Sequence, residues 1–409
     1  MTSPRRAAFL AIGSELLRTE RLDTNSLLAL PLLHRIGYEY AEKRVVGDDL
    51  EAIAEAVREL AARHELLLVS GGLGPTADDV TREAVALALG RELVRDEATL
   101  VRLAERYRQR GRAMPEIAAR MADVVAGAEV LASPLGAAPG QLLRAGDCTV
   151  VLLPGVPREL EELLTVYVAP RLATGSRVAM RTLRLGGVYE SLVEARIGHL
   201  YERFGRERVT ILAGKSQVFL VLSASGSDAS SELAEMERAF VKLAGADLYG
   251  FDEDTLAGVV LDALRTGGWR LATAESCTGG LVGHLITAVP GASDVYVGGV
   301  VAYSNALKQR LLGVPEKLLL ARGAVSREVA EAMARGALAL GAECGLAITG
   351  IAGPAGGSED RPVGTVHMAV ATPRGLVHAH QCFPGDRGMI REYAANFALD
   401  LVRRQVAEE

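Results

Sequence analysis

The sequence predicts an α/β protein made of more than one sheet-centred unit, and three observations carry that expectation. From Arg5 onward, short apolar runs of β character alternate with helical stretches, the order that builds βαβ units and largely parallel sheets. The composition agrees, with 49% hydrophobic, 23% charged and only 4% aromatic residues and 44 glycines, as suits Ala-, Val- and Leu-rich elements joined by glycine turns. At 409 residues the chain exceeds what one hydrophobic core supports, so two or three domains are expected.

The opening run RAAFLAIG reads as a first strand, because its apolar stretch passes at once into Gly13, Ser14 and Glu15 with no cleavage-like site. A helix over about 25–36, the strand-like EYAEKRVVG, a helix over about 50–62 and the strand ELLLVSGG follow, which together make βαβαβ. An arginine-rich helix, VRLAERYRQRGR, precedes the strands QLLRAG and TVVLLPG and a helix over about 158–172. The first domain is therefore placed at 1–172. Residues 173–250 change character, with strands near VTILAG and QVFLVLSASG and an amphipathic helix ASSELAEMERAFVKLAG. They form a small α+β linker domain with a KH-like outline, but no GxxG clamp in a basic loop accompanies it, so a spacer is expected rather than a nucleic-acid binder. The third domain, 251–409, opens with Leu256, Val259, Val260, Ala263 and Leu264 on one helical face and closes with the long helix through REYAANFALDLVRR.

A formal net charge of -6 argues against direct nucleic-acid binding, which depends on Lys and Arg neutralising phosphates. No apolar run approaches the roughly 18 residues needed to span a bilayer. Cys148, Cys277, Cys344 and Cys382 lack the paired spacing of a zinc site or a disulfide framework. A cytoplasmic protein acting on small anionic molecules fits these limits.

In RLATAESCTGGLVGHLIT a strand runs into Ser276, Cys277, Thr278, Gly279 and Gly280 before a helix. The backbone N–H groups of Thr278, Gly279 and Gly280 are placed to meet an anion or a developing oxyanion beside a serine nucleophile. A simple helix N-cap is the alternative use of Ser276 or Thr278. Cys277, at the same turn, is the competing nucleophile, although a neighbour of Ser276 points elsewhere if Ser276 faces the site. A serine needs a base. YVGGVVAYSNALKQRLLG supplies Tyr303 and Lys308, and a lysine desolvated enough to be neutral can take a serine's proton, with Tyr303 passing or orienting it. The alternative leaves Lys308 on a solvated helix face and Tyr303 in the core. In the first domain, SGGLGPTADDVTREA puts a glycine-rich turn after a buried strand. Gly71, Gly72, Gly74 and Thr76 would admit phosphate to the backbone there. Asp78 and Asp79, expected on the following helix, and Asp48 at the end of the second strand are candidate ligands for a divalent metal; helix N-capping is the other use of such aspartates.

The blocks AESCTGG, GGVVAYSNALK, RGAVSREVAEAMARGA, AITGIAGPAGG, PVGTVHMAV and FPGDRGMIRE resemble, in order, the C-terminal domain of CinA proteins. GSELLRTERLDTN, GGLGPTADDVT, GRAMPE, APG and LPGVPREL resemble the molybdopterin-binding fold and, more closely, the CinA N-terminal domain. The resemblance implies deamidation of nicotinamide mononucleotide to nicotinic acid mononucleotide and ammonia by a Ser/Lys mechanism, with Ser276, Lys308 and Tyr303 in the catalytic roles and no cofactor. Such a substrate also needs phosphate donors, for which Arg387 and the glycine-rich stretch Thr349, Gly350 and Gly353 are the candidates. For the first domain it implies hydrolysis of ADP-ribose to AMP and ribose 5-phosphate with Mg, Mn or Co. There Ala118, Met121, Ala137 and Leu160 depart from the family's pattern. A homodimer is implied by resemblance alone. A non-enzymatic adaptor in competence or DNA damage, or an N-terminal pterin-nucleotide binder, are the other readings.

Overall fold

The computed structural model describes residues 5–18, 21–133, 135–173, 177–226 and 228–407. They pack as two compact units, Met1–Ala179 with Ala224–Glu232, and Met180–Ser223 with Leu233–Glu409.

In the first unit the strands Arg5–Ile12, Leu66–Ser70 and Cys148–Leu153 are almost entirely buried along their length, the mark of strands covered on both faces. Alternate side chains serve the two sides. Ala8, Leu10 and Ile12 pack with Ile53, Val57 and Val85, while Ala7, Phe9 and Ala11 pack with Leu32, Leu33 and Leu160. The six-stranded sheet runs Tyr38–Val46, Arg5–Ile12, Leu66–Ser70, Cys148–Leu153, Gly140–Ala145, Glu129–Leu131. Its first four strands are parallel, as expected, and the last two are antiparallel additions to one edge. The hairpin through Asp147 makes that reversal, since a tight turn can only join antiparallel neighbours. The helix expected over 158–172 widens into a π turn at Leu163–Val168 before Ala169–Leu172. Pro170 has no N–H to return and its ring crowds the preceding turn, which accounts for the wider winding.

A four-stranded antiparallel sheet, Val209–Gly214, Gln217–Gly226, Arg177–Gly186 and Leu248–Phe251, occupies the middle of the chain. Within the second unit its hairpin tip meets the long final helix Arg387–Ala407: Ser216 Oγ donates to Tyr393 O (2.9 Å) and Asn396 Nδ2 to Lys215 O (2.9 Å).

The C-terminal sheet runs Tyr296–Val301, Leu271–Glu275, Cys344–Gly350, Thr365–Thr372, Gly375–Cys382. Its first three strands are parallel and its last two antiparallel. Leu256, Val260 and Leu264 pack with Val366, Met368, Ala394 and Ala398 on one face, as the spacing predicted; Val259 and Ala263 are partly buried beside them. Ala272, Ala274, Ala347 and Ala369 receive the helix Arg327–Leu338 on the other face through Val329, Met333 and Ala337. No described helix is long and apolar enough to cross a membrane.

Candidate active site

The parallel strands of the C-terminal sheet all end on one edge, where open α/β sheets place their ligands. Ser276 N–H extends the ladder to Ile348 O (2.9 Å) and Ala302 N–H to Glu275 O (2.8 Å), so the serine, the Ala302–Tyr303 turn and Thr349 leave the sheet side by side. Together with Arg387 they line a cavity of about 270 Å³.

Ser276 is 8% exposed and Lys308 only 1%. Lys308 lies on the helix Asn305–Leu312, whose Ser304 N-cap accepts from Leu307 N–H. Its Nζ sits 3.0 Å from Ser276 Oγ, 2.7 Å from Ala302 O and 3.3 Å from Tyr303 O. A neutral amine has two N–H donors and one lone pair. With both donors on the two carbonyls, the lone pair falls toward the serine hydroxyl. Burial lowers the Lys308 pKa, with Cys277 opposing it, which favours that neutral form.

Tyr303 was expected to bridge Ser276 and Lys308 through its hydroxyl. Instead the ring is 61% exposed and the hydroxyl accepts from Arg387 Nη2 (3.0 Å); only the Tyr303 carbonyl touches the lysine. The turn lies just beyond the strand end, and its backbone carries the carbonyl inward and the side chain outward. Arg387 also donates through Nη1 to Gly353 O (2.8 Å). It therefore ties the glycine-rich loop to Tyr303 and does not pair with Asp386, whose carboxylate caps Met389 N–H (2.8 Å).

The loop Ser276–Gly280 differs from expectation in its amides. Gly280 N–H goes to Glu275 Oε2 (2.9 Å) and Gly279 N–H to Ser276 O (3.1 Å). Glu275, almost fully buried, collects two more N–H groups from Val282 and Gly283. That carboxylate claims the donors because a buried charge must be satisfied. Thr278, Gly279 and Gly280 thus shape the turn and do not line the cavity. On the opposite wall, Thr349, Gly350 and Gly353 do line it. Thr349 Oγ1 donates to Ala324 O (2.8 Å) and so fixes the neighbouring Ala324–Val325 wall. A Cβ on Gly350 would stand 2.8 Å from Thr365 O and 3.1 Å from Cys277 Sγ, too close for any side chain. Cys277 itself is buried, and burial pushes its thiol up to about 12 against the smaller pull of nearby N–H groups; such a thiol is inert.

Arg391, which sequence reasoning passed over, donates from Nη2 (2.8 Å) and Nε (3.2 Å) to Thr278 O. Its four-residue spacing from Arg387 was the available signal, since such pairs share a helix face.

In the first unit a second cleft of about 570 Å³ lies at the corresponding sheet edge and gathers Asp48, Gly71, Gly72, Gly74, Thr76, Asp78 and Asp79. Gly71 has φ +109° and its Cβ would run into Ile12 O, so only glycine turns the chain there. The turn is pinned from behind by residues missed in the sequence. Arg82, fully buried, donates to Leu73 O (2.6 Å) and Gly74 O (2.8 Å), Thr81 Oγ1 to Gly71 O (2.8 Å) and Arg120 to Thr76 O (2.9 Å). Asp78 and Asp79 lie in this loop and not on the helix, which begins at Thr81. Of the departures from the family pattern, Met121 and Ala137 line the cleft, whereas Ala118 and Leu160 are buried core residues.

The described residues of this cleft form no preformed metal cage. Among the described residues no group of three or more His, Cys, Asp or Glu side chains is placed to hold a metal. Asp48 accepts from Ser14 N–H (2.7 Å), and Asp79 accepts from both the Thr76 N–H (2.9 Å) and the Thr76 hydroxyl. These two carboxylates brace loops.

Residues 253–406 match the CinA C-terminal domain family and residues 8–174 the probable molybdopterin binding domain family. A CinA-like protein of Solibacter usitatus is 41% identical over 407 residues, spanning 98% of both chains, and one of Anaeromyxobacter sp. is 42% identical over 405 residues, spanning 98% and 99%. Among solved structures, the competence/damage inducible protein CihA from Agrobacterium tumefaciens is 38% identical, covering 37% of this chain and 94% of its own, with a TM-score of 0.36. A Thermoplasma acidophilum CinA protein of unknown function is 33% identical, covering 41% and 99%, with a TM-score of 0.39. With relatives of this identity matched from end to end, the chain belongs to the CinA family, carrying a molybdopterin-binding-type N-terminal domain and a CinA C-terminal domain.

Proposed function

We propose that the C-terminal site is a serine amidohydrolase that converts nicotinamide mononucleotide to nicotinic acid mononucleotide and ammonia. The observation that carries this is the buried Lys308 Nζ at 3.0 Å from Ser276 Oγ, with two carbonyls holding its other hydrogens. Ser276 Oγ attacks the carboxamide carbon as its proton passes to Lys308. The C–N bond then breaks, and the Lys308 ammonium returns that proton to the departing nitrogen, which leaves as ammonia. A water, deprotonated by the same amine, cleaves the resulting ester, releasing the carboxylate and restoring Ser276. Arg387 and the glycine-rich loop at Gly350–Gly353 flank this centre and suit the nucleotide's phosphate, because a guanidinium with two of its five N–H donors engaged retains others for an anion. The test is ammonia release from nicotinamide mononucleotide, free nicotinamide and unrelated amides. Release that is strongest with the mononucleotide supports the reading, and release from none of them overturns it.

A second reading concerns the N-terminal cleft, whose braced glycine turn and size suit a dinucleotide such as ADP-ribose. Hydrolysis to AMP and ribose 5-phosphate is assayed with chelator and with added Mg²⁺, Mn²⁺ or Co²⁺. An intact protein inert in every condition leaves this domain as a nucleotide or pterin binder.

A further inference from the structure

The arginine-rich segment of the first unit belongs to neither site described above. Arg102, Arg106 and Arg110 recur at four-residue spacing and so form one stripe along the helix Glu97–Gln109 and its C-cap. That stripe is one wall of a cavity of about 350 Å³; Ser133, Gly136 and Ala137 form the other. Among the described residues the only carboxylate lining it is Glu105, and Glu105 is already paired with Arg108 at 2.7 Å. Arg106 is held in place by donating to the carbonyls of Leu135 and Gly136, and Arg102 by donating to Thr99 Oγ1 (2.8 Å). The Arg110 guanidinium has no partner among the described residues. A concave wall of three guanidiniums, two of them pre-ordered, concentrates positive potential.

The loop through Gly136 and Ala137 is a thin partition. Ala137 lines both this cavity and the glycine-rich cleft, and Glu159, on the cleft side, lies near enough to Arg106 for the guanidinium to lower the pull of burial on its carboxyl. The charges on the two sides are opposite. Glu15, Asp48, Asp78, Asp79 and Glu159 line the cleft against Arg21, so a pyrophosphate confined there meets five carboxylates and one guanidinium. The complementary charge stands across the partition.

We propose that the Arg102–Arg106–Arg110 cavity is an anion subsite taking a phosphate or pyrophosphate group of a nucleotide whose remainder occupies the adjoining glycine-rich cleft. The phosphate chemistry follows from the cavity alone, whereas the choice of ADP-ribose as the nucleotide rests on the second reading above.

The test is calorimetric titration of the full-length protein with inorganic pyrophosphate and with ADP-ribose, at two salt concentrations. The variants are Arg110→Glu, Arg102→Ser with Arg110→Ser, and, as a control outside the cavity lining, Arg58→Glu on the exposed face of the helix Leu50–Ala61; none of these removes a loop contact of Arg106. The expected result is salt-sensitive binding of both anions that weakens about tenfold or more in the first two variants, as loss of focused positive charge requires, with Arg58→Glu close to the unaltered protein. Binding of pyrophosphate that depends on Arg110 without binding of ADP-ribose supports the subsite and overturns only the nucleotide named. Affinity unchanged by Arg110→Glu and by the double variant, or no binding of either anion by the unaltered protein at millimolar concentration, overturns the proposal.

Discussion

Lys308 Nζ and Ser276 Oγ stand 3.0 Å apart in a pocket where the lysine is 1% exposed, and among the described residues no imidazole lines the cavity that they share. The base available to this serine is an amine, and its protonation state sets the pH profile. Burial lowers the Lys308 pKa from 10.5, the protonated form cannot accept the Ser276 proton, and so the rate should rise with pH through the lowered value and level off before 10.5. Lys308→Arg should be inactive at every pH, because arginine stays charged. Ammonia release measured from pH 5 to 10 checks both; a rate that falls as pH rises through this range would rule out the amine as base.

Replacing the nucleophile separates Ser276 from its neighbour. Ser276→Ala should lower kcat by about 10³-fold or more with the fold unchanged by circular dichroism. Cys277→Ala should keep most activity, since that thiol is buried, with its pKa raised to about 12, and it cannot supply a thiolate near neutrality. The reverse pattern would reassign the nucleophile.

Tyr303 and Arg387 should behave as a substrate-holding pair. Tyr303→Phe removes one hydrogen bond, to Arg387 Nη2, and leaves the backbone carbonyl that contacts Lys308. The expected loss in kcat/KM is below about tenfold and falls mainly on KM. Arg387→Lys loses the fork that reaches Gly353 O and Tyr303 OH together and should raise KM more. A kcat collapse in Tyr303→Phe with unchanged KM would restore the hydroxyl to the proton path.

The Ser276–Lys308 pairing was legible in the sequence because a serine at a strand end requires a base and the next strand-to-helix turn offers one. The N- and C-terminal sheets were legible for a similar reason: residues such as Ala7–Ile12 and Cys344–Ile348 are apolar without alternation, as strands covered on both faces must be. What escaped was direction. Whether the Gly280 amide faces the cavity depends on Glu275, a buried carboxylate whose demand for donors has no spacing signature. The Tyr303 hydroxyl points outward because of two loop residues beyond Val301, and loop dihedrals carry no periodicity. Asp48, Asp78 and Asp79 drew notice as metal ligands on residue type alone, whereas the use of Asp48 and Asp79 as loop braces depends on Ser14 and Thr76.

Arg391 is the positioning residue that this geometry brings forward. Its guanidinium reaches from the long final helix to the Thr278 carbonyl through two N–H groups, at 2.8 and 3.2 Å, and Thr278 is two residues past the serine. One turn earlier on the same helix, Arg387 holds the opposite wall, so the helix start sets the gap between nucleophile and substrate loop. A charge-assisted bond of this kind contributes about 1.5–3 kcal/mol, and a nucleophile misplaced by about 1 Å loses on the order of 10²-fold in rate. Arg391→Ala should therefore lower kcat by about 10- to 100-fold with KM near its unaltered value, and Arg391→Lys should recover part of the loss by restoring one donor. A purely structural role would lower thermal stability without this split. The labelling rate of Ser276 by a fluorophosphonate gives a readout that needs no amide substrate, and it should slow in parallel. If Arg391→Ala keeps both kcat and labelling rate, the bonds from Gly280, Val282 and Gly283 to Glu275 hold the loop without it.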